Sequence, residues 1–334
     1  MKVLFIGGTG NISSAVTELA VKKGIELWHL NRGHAASFPV PAGVKTIHAD
    51  IRNKADVAAA IKGHDWDCVV NWITFLPDQV QQDIDLFRGR TKQYIFISSA
   101  SAYQTPPASP FITEETPLDN PFWEYSRNKI ACEKLLLGTT DFPGVVVRPS
   151  HTYRNCIPTG AGSWDYAVVR RLKAGGPAVI HGDGSSLWVV THAHDFAKGF
   201  VGLLGRADTI GEAFHITTDE VLTWNQIYET IADVFECKPN FVHIPSDFIA
   251  KIDPEINGPS LLGDKTHSVI FDNSKIKRFV PDFKATISFR EGMQMTRQWF
   301  DADPKRKESL VWELKAEAAV DRVLAAWHRG LSAL

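Results

Sequence analysis

Of the six tyrosines in the chain, only Tyr125 is followed four residues later by a lysine, in the run Tyr-Ser-Arg-Asn-Lys that ends at Lys129. On a helix that spacing puts both side chains on one face, one turn apart. A free phenol with a pKa of ~10 keeps its proton at neutral pH; a nearby ammonium favours the phenolate, and a fall of ~3 units corresponds to ~4 kcal/mol. Such a pair suits one kind of chemistry. It removes the hydroxyl proton of an alcohol whose carbinol carbon gives up hydride, and in reverse it protonates a carbonyl. The serine-rich stretch Ile-Ser-Ser-Ala-Ser-Ala-Tyr, residues 97–103, places Ser99 where a hydroxyl can hold the reacting oxygen, with Ser101 beside it for substrate.

Hydride chemistry needs a carrier, and the N-terminus offers a place for one. Gly-Gly-Thr-Gly-Asn-Ile-Ser, residues 7–13, follows the apolar run that ends at Ile6. Gly7 and Gly10 permit a tight strand-to-helix turn and close backbone approach to a pyrophosphate, which then sits at the positive end of the helix carrying Asn11 and Ile12. Ser13 stands where a third glycine is usual, and is small enough for close packing. At the end of the second apolar run come Asn31 and Arg32 instead of the acidic residue that holds an adenosine ribose. An arginine there suits the 2'-phosphate of NADP, which is preferred over NAD; as an ordinary surface charge it leaves NAD open. Asp50 and Ile51 follow the third run and are placed to meet the adenine, with helix capping as the competing role for Asp50.

These groups must be positioned by strands and helices, and the hydrophobic pattern supplies them. Strands are predicted at residues 3–6, 25–30, 44–48, 68–71, 94–98 and 145–147, and helices at 11–23, 54–62, 77–87 and 122–137. The alternation gives an α/β fold: a doubly wound parallel Rossmann sheet whose ligand crevice lies at the carboxyl ends of the strands, with a smaller mixed substrate-binding portion. The predicted organisation is a dinucleotide-binding domain at 1–175, with some later segments returning to it, a substrate-binding portion at 176–304 and a helical extension at 305–334. In the last, Leu310, Leu314, Ala318, Leu324, Trp327 and Leu331 form an apolar stripe for packing on the body or on a second subunit, a homodimer.

Composition narrows the class. With 44% hydrophobic and 22% charged residues in 334, the chain can bury a large core, and it has no run of about 18 apolar residues to span a membrane. A formal charge of -2 gives no basic field for nucleic acid. Four widely spaced cysteines, Cys68, Cys132, Cys156 and Cys237, form no zinc or redox motif and read as free thiols in a cytoplasmic protein. His192, His194 and Asp195 have metal-like spacing, but a strand-to-helix junction is the preferred reading and no metal is expected. Ten tryptophans are an excess.

Together these motifs resemble the short-chain dehydrogenase/reductase superfamily in its extended, NAD-dependent epimerase/dehydratase branch. The likeness runs over about residues 1–303, carried by GGTGNIS, ISSASAY, YSRNK, VVVRPSHTY and GDGSSLWVVTHAHD in that order. It implies an NAD(P)-dependent oxidoreductase or epimerase with Ser99, Tyr125 and Lys129 as catalytic residues; counting four back from Tyr103 selects Ser99. It also implies that Trp72, Lys129 and Arg148 face the cofactor, and it places Trp123, His151 and Trp188 near a substrate. Relatives acting on nucleotide diphosphates often carry arginine after Gly-Asp-Gly-Ser, whereas here the turn leads to Trp188, which can stack on a sugar but cannot pair with a diphosphate. The expected substrate is therefore a carbohydrate-like small molecule, with Trp72, Trp123, Trp188 and nearby Trp164 as a stacking surface. A non-catalytic nucleotide- or RNA-binding protein on the same fold is the alternative.

Overall fold

A computed structural model describes residues 1–33, 38–308 and 310–333. Its first half alternates β1 (Lys2–Ile6), α1 (Asn11–Lys22), β2 (Glu26–Asn31), β3 (Lys45–His48), α2 (Lys54–Ala60), β4 (Cys68–Asn71), α3 (Pro77–Phe87), β5 (Tyr94–Ile97), β6 (Phe111–Ile112), α4 (Glu124–Gly138) and β7 (Gly144–Arg148). The second half contains β8 (His151–Tyr153), α5 (Ala167–Lys173), β9 (Ala178–His181), β10 (Leu187–Trp188), β11 (Val190–His192), α6 (Ala193–Leu203), β12 (Ala213–His215), β13 (Leu222–Thr223), α7 (Trp224–Val234), β14 (Phe241–Ile244) and β15 (Ile270–Phe271). Seven strands form one parallel sheet in the order β12-β7-β5-β4-β1-β2-β3. The chain is an α/β protein with a Rossmann-like doubly wound sheet.

The unbroken apolar runs explain the central strands. Val3 to Ile6, Cys68 to Val70 and Val145 to Val147 are buried on both faces, as strands covered by helices on either side must be. Each large side chain so buried contributes about 1.5–3 kcal/mol. One core layer lies under α1 and α6 and the other under α2, α3 and α4.

The second half of the chain has its own core, built on Trp188, Trp224, Tyr153, Tyr228 and Phe289. Short pairs brace it: β8 with β11, β9 with β14, β10 with β13, and β6 with β15. Thr223 caps α7 through a reciprocal bond with Gln226, as its position before the apolar run foretells. The chain does not divide cleanly, however. β12 returns to pair with β7, and Ile276 and Phe283 pack into the core beneath α6.

The C-terminal helix Val311–Ser332 lies against the β9–β14 pair. Its inner face is Ala316, Ala319, Val320, Val323 and Leu324, while Leu310, Leu314 and Leu331 are exposed. Leu324 and Trp327 of the expected stripe do pack on the body, but near the start of the helix the inner face is rotated from it, with Glu317 and Asp321 turned toward Arg171 and paired with it at 2.9 and 2.7 Å. Among the described residues no helix is long and apolar enough to cross a membrane.

Candidate active site

The carboxyl end of β1 turns into α1 through Gly7, at φ +81°, and Gly10. Ser13 secures this turn more specifically than its small size required: its hydroxyl donates to Gly7 O at 3.0 Å and accepts from Gly10 N at 2.9 Å. A Cβ at Gly7 would come within 2.6 Å of Ile73, whereas one at Gly10 would meet only Ser13 Oγ, at 3.5 Å. The turn is therefore packed on one side and open where α1 begins. There the first amides, at Asn11 and Ile12, have no acceptor in the helix and carry its positive end. These residues fit the pyrophosphate of a dinucleotide.

At the end of β2, Asn31 Oδ1 accepts from Gly33 N at 3.0 Å, and Arg32 is exposed. Asp50 does not cap α2; Asn53 does. Asp50 accepts from Arg52 N at 3.1 Å and pairs with the Arg52 guanidinium at 2.5 Å, and those bonds, with Arg32 adding attraction, lower its pKa to about 2. Ile51 is half-buried in the core beneath the strand, its carbonyl accepting from Gln82.

Tyr125 and Lys129 lie on α4, one turn apart, with the Lys129 Nζ 5.7 Å from the centre of the Tyr125 ring. Lys129 is buried, and Nζ donates to Thr74 O at 2.6 Å and Ile97 O at 2.7 Å. These carbonyls come from the loop after β4 and from the last residue of β5, so the lysine ties α4 to both. Thr74 is held by buried Asp83, which also accepts from Asn71 and Tyr94. Phe75 covers the same corner, 4.6 Å from Lys129 Nζ and 6.3 Å from Tyr125.

The ionisations differ from those the motif suggests. Burial pushes the Tyr125 phenol up to about 12; hydrogen bonding to Ser99 opposes this and the negative charge of Asp264 adds to it. Burial draws Lys129 down to about 8. At neutral pH the phenol therefore keeps its proton, beside a lysine whose pKa burial has drawn down to about 8.

A line of hydroxyls leads to Tyr125. Ser126 Oγ donates to Ser101 Oγ at 2.7 Å, and Ser101 Oγ lies 2.9 Å from Ser99 Oγ. With Ser101 accepting on one side, its hydrogen turns to Ser99, which also accepts from Ser101 N at 3.2 Å. The Ser99 hydrogen is then left for the phenol or a substrate oxygen. Ser101 is thus a largely buried relay behind Ser99, at the wall of the cleft that Asp264 also lines.

Trp123 stands at the start of α4, half-buried, its ring 4.9 Å from that of Tyr125. Asn120 places it, accepting from Phe122 N and Trp123 N and donating to Ser101 O at 2.7 Å and Gly263 O at 2.6 Å. His151 is buried, stacked on Trp164 at 4.2 Å, and accepts from Trp188 Nε1 at 2.9 Å. Burial holds its pKa well below the usual imidazole range.

Three residues are placed otherwise than the motifs implied. Arg148 is buried and chelates Glu133, with Nη2 2.7 Å from Oε2, so its charge is spent between β7 and α4 and does not face a cofactor. Trp72 packs between Phe5 and Phe200 because its large ring is best removed from water there; Ile73 is the residue of that loop lying over the glycine turn. Trp188 is 1% exposed and packs on Trp224, so it presents no open stacking face. His192 caps α6, while Asp195 accepts from Thr286 N and Ile287 N and pairs with Lys198. Sequence reasoning missed Ser126, Asn120 and the neighbours Asp264 and Lys265. The first follows Tyr125 directly, but the others make contacts over long sequence separations that leave no local pattern.

A glycine-turn dinucleotide cradle on a doubly wound sheet, with Ser, Tyr and Lys gathered at its edge, defines a nicotinamide-linked enzyme of the short-chain dehydrogenase/reductase type. The sequence model of the NAD dependent epimerase/dehydratase family matches residues 3–217, and the chain belongs to that family. It is 22% identical over 291 residues to the 2'-dehydrokanamycin reductase of Streptomyces kanamyceticus, covering 85% of this chain and 80% of the reductase. It is also 24% identical to the chloroplast stem-loop binding protein of 41 kDa b from Arabidopsis thaliana, covering 74% of this chain and 67% of that protein. Among solved structures, the dTDP-glucose 4,6-dehydratase of Bacillus anthracis in complex with NAD superposes with a TM-score of 0.71 at 19% identity, covering 91% of this chain and 98% of the dehydratase.

Proposed function

We propose that the protein transfers hydride between a nicotinamide dinucleotide and a carbohydrate-like alcohol or ketone that carries no nucleotide diphosphate. The observation that carries this reading is the Tyr125 phenol one helical turn from a buried Lys129, whose Nζ lies 5.7 Å from the centre of the phenol ring, with the Ser99 hydroxyl in reach. Asn11 and Ile12 after the glycine turn would hold the pyrophosphate, and Lys129 stands where it can meet the adjoining ribose. When bound, the nicotinamide accepts or returns the hydride.

The chain's own groups manage the proton. Ser99, aligned through Ser101 and Ser126, holds the substrate oxygen. Tyr125 gives its proton to a carbonyl or takes one from an alcohol. A protonated Lys129 stabilises the phenolate that results, and the apolar cover of Phe75 and Trp123 strengthens that attraction by limiting water. NADP is preferred because Arg32, with Arg52 beyond it, stands at the adenosine edge and β2 ends on Asn31 and not on a carboxylate. Against a diphosphate, the turn after Gly182 leads to an enclosed Trp188, and the positive charge of Lys265 on the facing wall is offset by the Asp264 carboxylate beside it.

Titration of the purified protein with NADPH and NADH, followed by nicotinamide fluorescence, tests the first step, with NADPH expected to bind more tightly. A screen of sugars, sugar acids and aromatic ketones, read at the reduced-nicotinamide absorbance, then identifies the substrate. Tyr125→Phe is expected to abolish turnover on it with dinucleotide affinity changed by less than about twofold, since the phenol acts on the substrate oxygen. No binding of either dinucleotide would sink the proposal.

A further inference from the structure

Opposite Tyr125 the cleft is closed by a segment that no motif announces. After the short helix Asn257–Ser260, residues Leu261–Lys265 run as a π-turn, a local widening that concentrates at functional sites. It is docked directly on the start of α4. Asn120 holds Gly263 O, and a Cβ on Gly263 would come within 2.7 Å of Trp123 Cβ, so only glycine allows the approach.

Docking delivers two opposite charges to the site. Lys265 is 5% exposed, with Nζ 3.6 Å from Asp264 Oδ2 and 5.7 Å from the centre of the Trp123 ring. Asp264 lines a cleft shared with Ser101, Tyr103, Gln104 and Phe271, and its charge reaches Tyr125. An ion pair at that separation is too long for a good hydrogen bond and offsets little of the cost of burying two charges, so stability does not account for it.

A third unspent group faces the same charge. His151 Nδ1 accepts from Trp188, which in a neutral ring puts the proton on Nε2; that nitrogen is buried and has no partner. Lys265 lies within electrostatic reach of His151 and helps keep it neutral.

Asp264, Lys265 and the Trp123 ring together describe a ligand. An anion entering here meets Asp264, and a cation meets Lys265. A neutral ring bearing adjacent hydroxyls satisfies both, one hydroxyl donating to the carboxylate and its neighbour accepting from the ammonium, while the C–H face of the ring lies on Trp123. We propose that Asp264, Lys265 and Trp123 form a subsite that reads two adjacent hydroxyls of a neutral polyhydroxylated ring beside the carbon served by Tyr125. The subsite rests on the hydride-transfer reading above and names its substrate class.

The NADP-loaded protein, titrated with the methyl α-pyranosides of glucose, galactose and mannose and followed by tryptophan fluorescence, tests this without turnover. At least one pyranoside is expected to saturate the protein more tightly than glucuronate or glucosamine. Asp264→Asn and Lys265→Met are each expected to weaken it by about tenfold or more, with NADP affinity within about twofold of the parent. Should either variant fail to fold, a series of singly deoxygenated pyranosides on the parent protein decides: loss of one hydroxyl of the adjacent pair is expected to cost about tenfold. Saturation by none of the three, tighter binding of a charged sugar, or indifference to the substitutions or to deoxygenation overturns the subsite. Failure of dinucleotide binding or of the Tyr125→Phe comparison overturns the hydride reading instead, so the two failures are distinct.

Discussion

Burial moves Tyr125 and Lys129 in opposite directions, the phenol up to about 12 and the ammonium down to about 8, and this fixes the expected pH behaviour. Below its pKa Lys129 is charged and supports phenolate formation; above it the charge is lost while Tyr125 still holds its proton. Carbonyl reduction under limiting substrate is therefore expected to fall as pH rises through about 8, and Lys129→Met is expected to remove that limb along with most activity. A falling limb that persists in Lys129→Met would assign it to another group. The pair itself was legible because its spacing is local. Its electrostatics were not, since the carbonyls of Thr74 and Ile97 and the cover of Phe75 come from the loop after β4 and the end of β5, remote in sequence.

Among the elements, α4 carries Tyr125, Ser126 and Lys129, the core of the proposed chemistry, and its placement depends on a buried charge pair. Glu133 on α4 is chelated by Arg148 on β7 and also accepts from Ser98. Arg148→Met leaves the carboxylate buried without its partner, and is expected to cost about 3–5 kcal/mol in urea unfolding. Adding Glu133→Leu should recover much of that loss; no recovery would mean that Arg148 stabilises by packing over Tyr103 and not by its charge. Elements with strong local signals were read accurately: β4 at Cys68–Asn71 and α3 at Pro77–Phe87 coincide with the sequence expectation, because a turn or a proline bounds each. The π-turn at Leu261–Lys265 was invisible, since an irregular turn has no periodicity and its docking partner, Asn120, lies far away in the chain. Arg148 shows the converse: the family pattern suggested a ligand contact where the fold needed an ion pair.

At the scale of the whole molecule, the C-terminal helix braces the wall that faces Tyr125. Val320, Val323 and Leu324 pack in one cluster with Val179, Ile244 and Leu261, the first residue of the π-turn. Deleting residues 311–334 is expected to lower the melting temperature and weaken sugar binding at Asp264 and Lys265, while the dinucleotide cradle at the end of β1 keeps its affinity. Equal loss of both affinities would show that the helix supports the fold in general. The tryptophan excess also resolves at this scale: Trp123 faces Tyr125, whereas Trp164, Trp188 and Trp224 gather around His151 inside the second core. The return of β12 to the central sheet, followed by that of Ile276 and Phe283 to its core, has a bearing on how specificity can diverge. Segments of the central sheet and of the second core are interleaved, so no single cut-and-join would exchange one lobe for a relative's. A hybrid would need matched junctions at every crossing, and new preferences are more readily acquired by point substitution along the cleft than by transplanting a cassette.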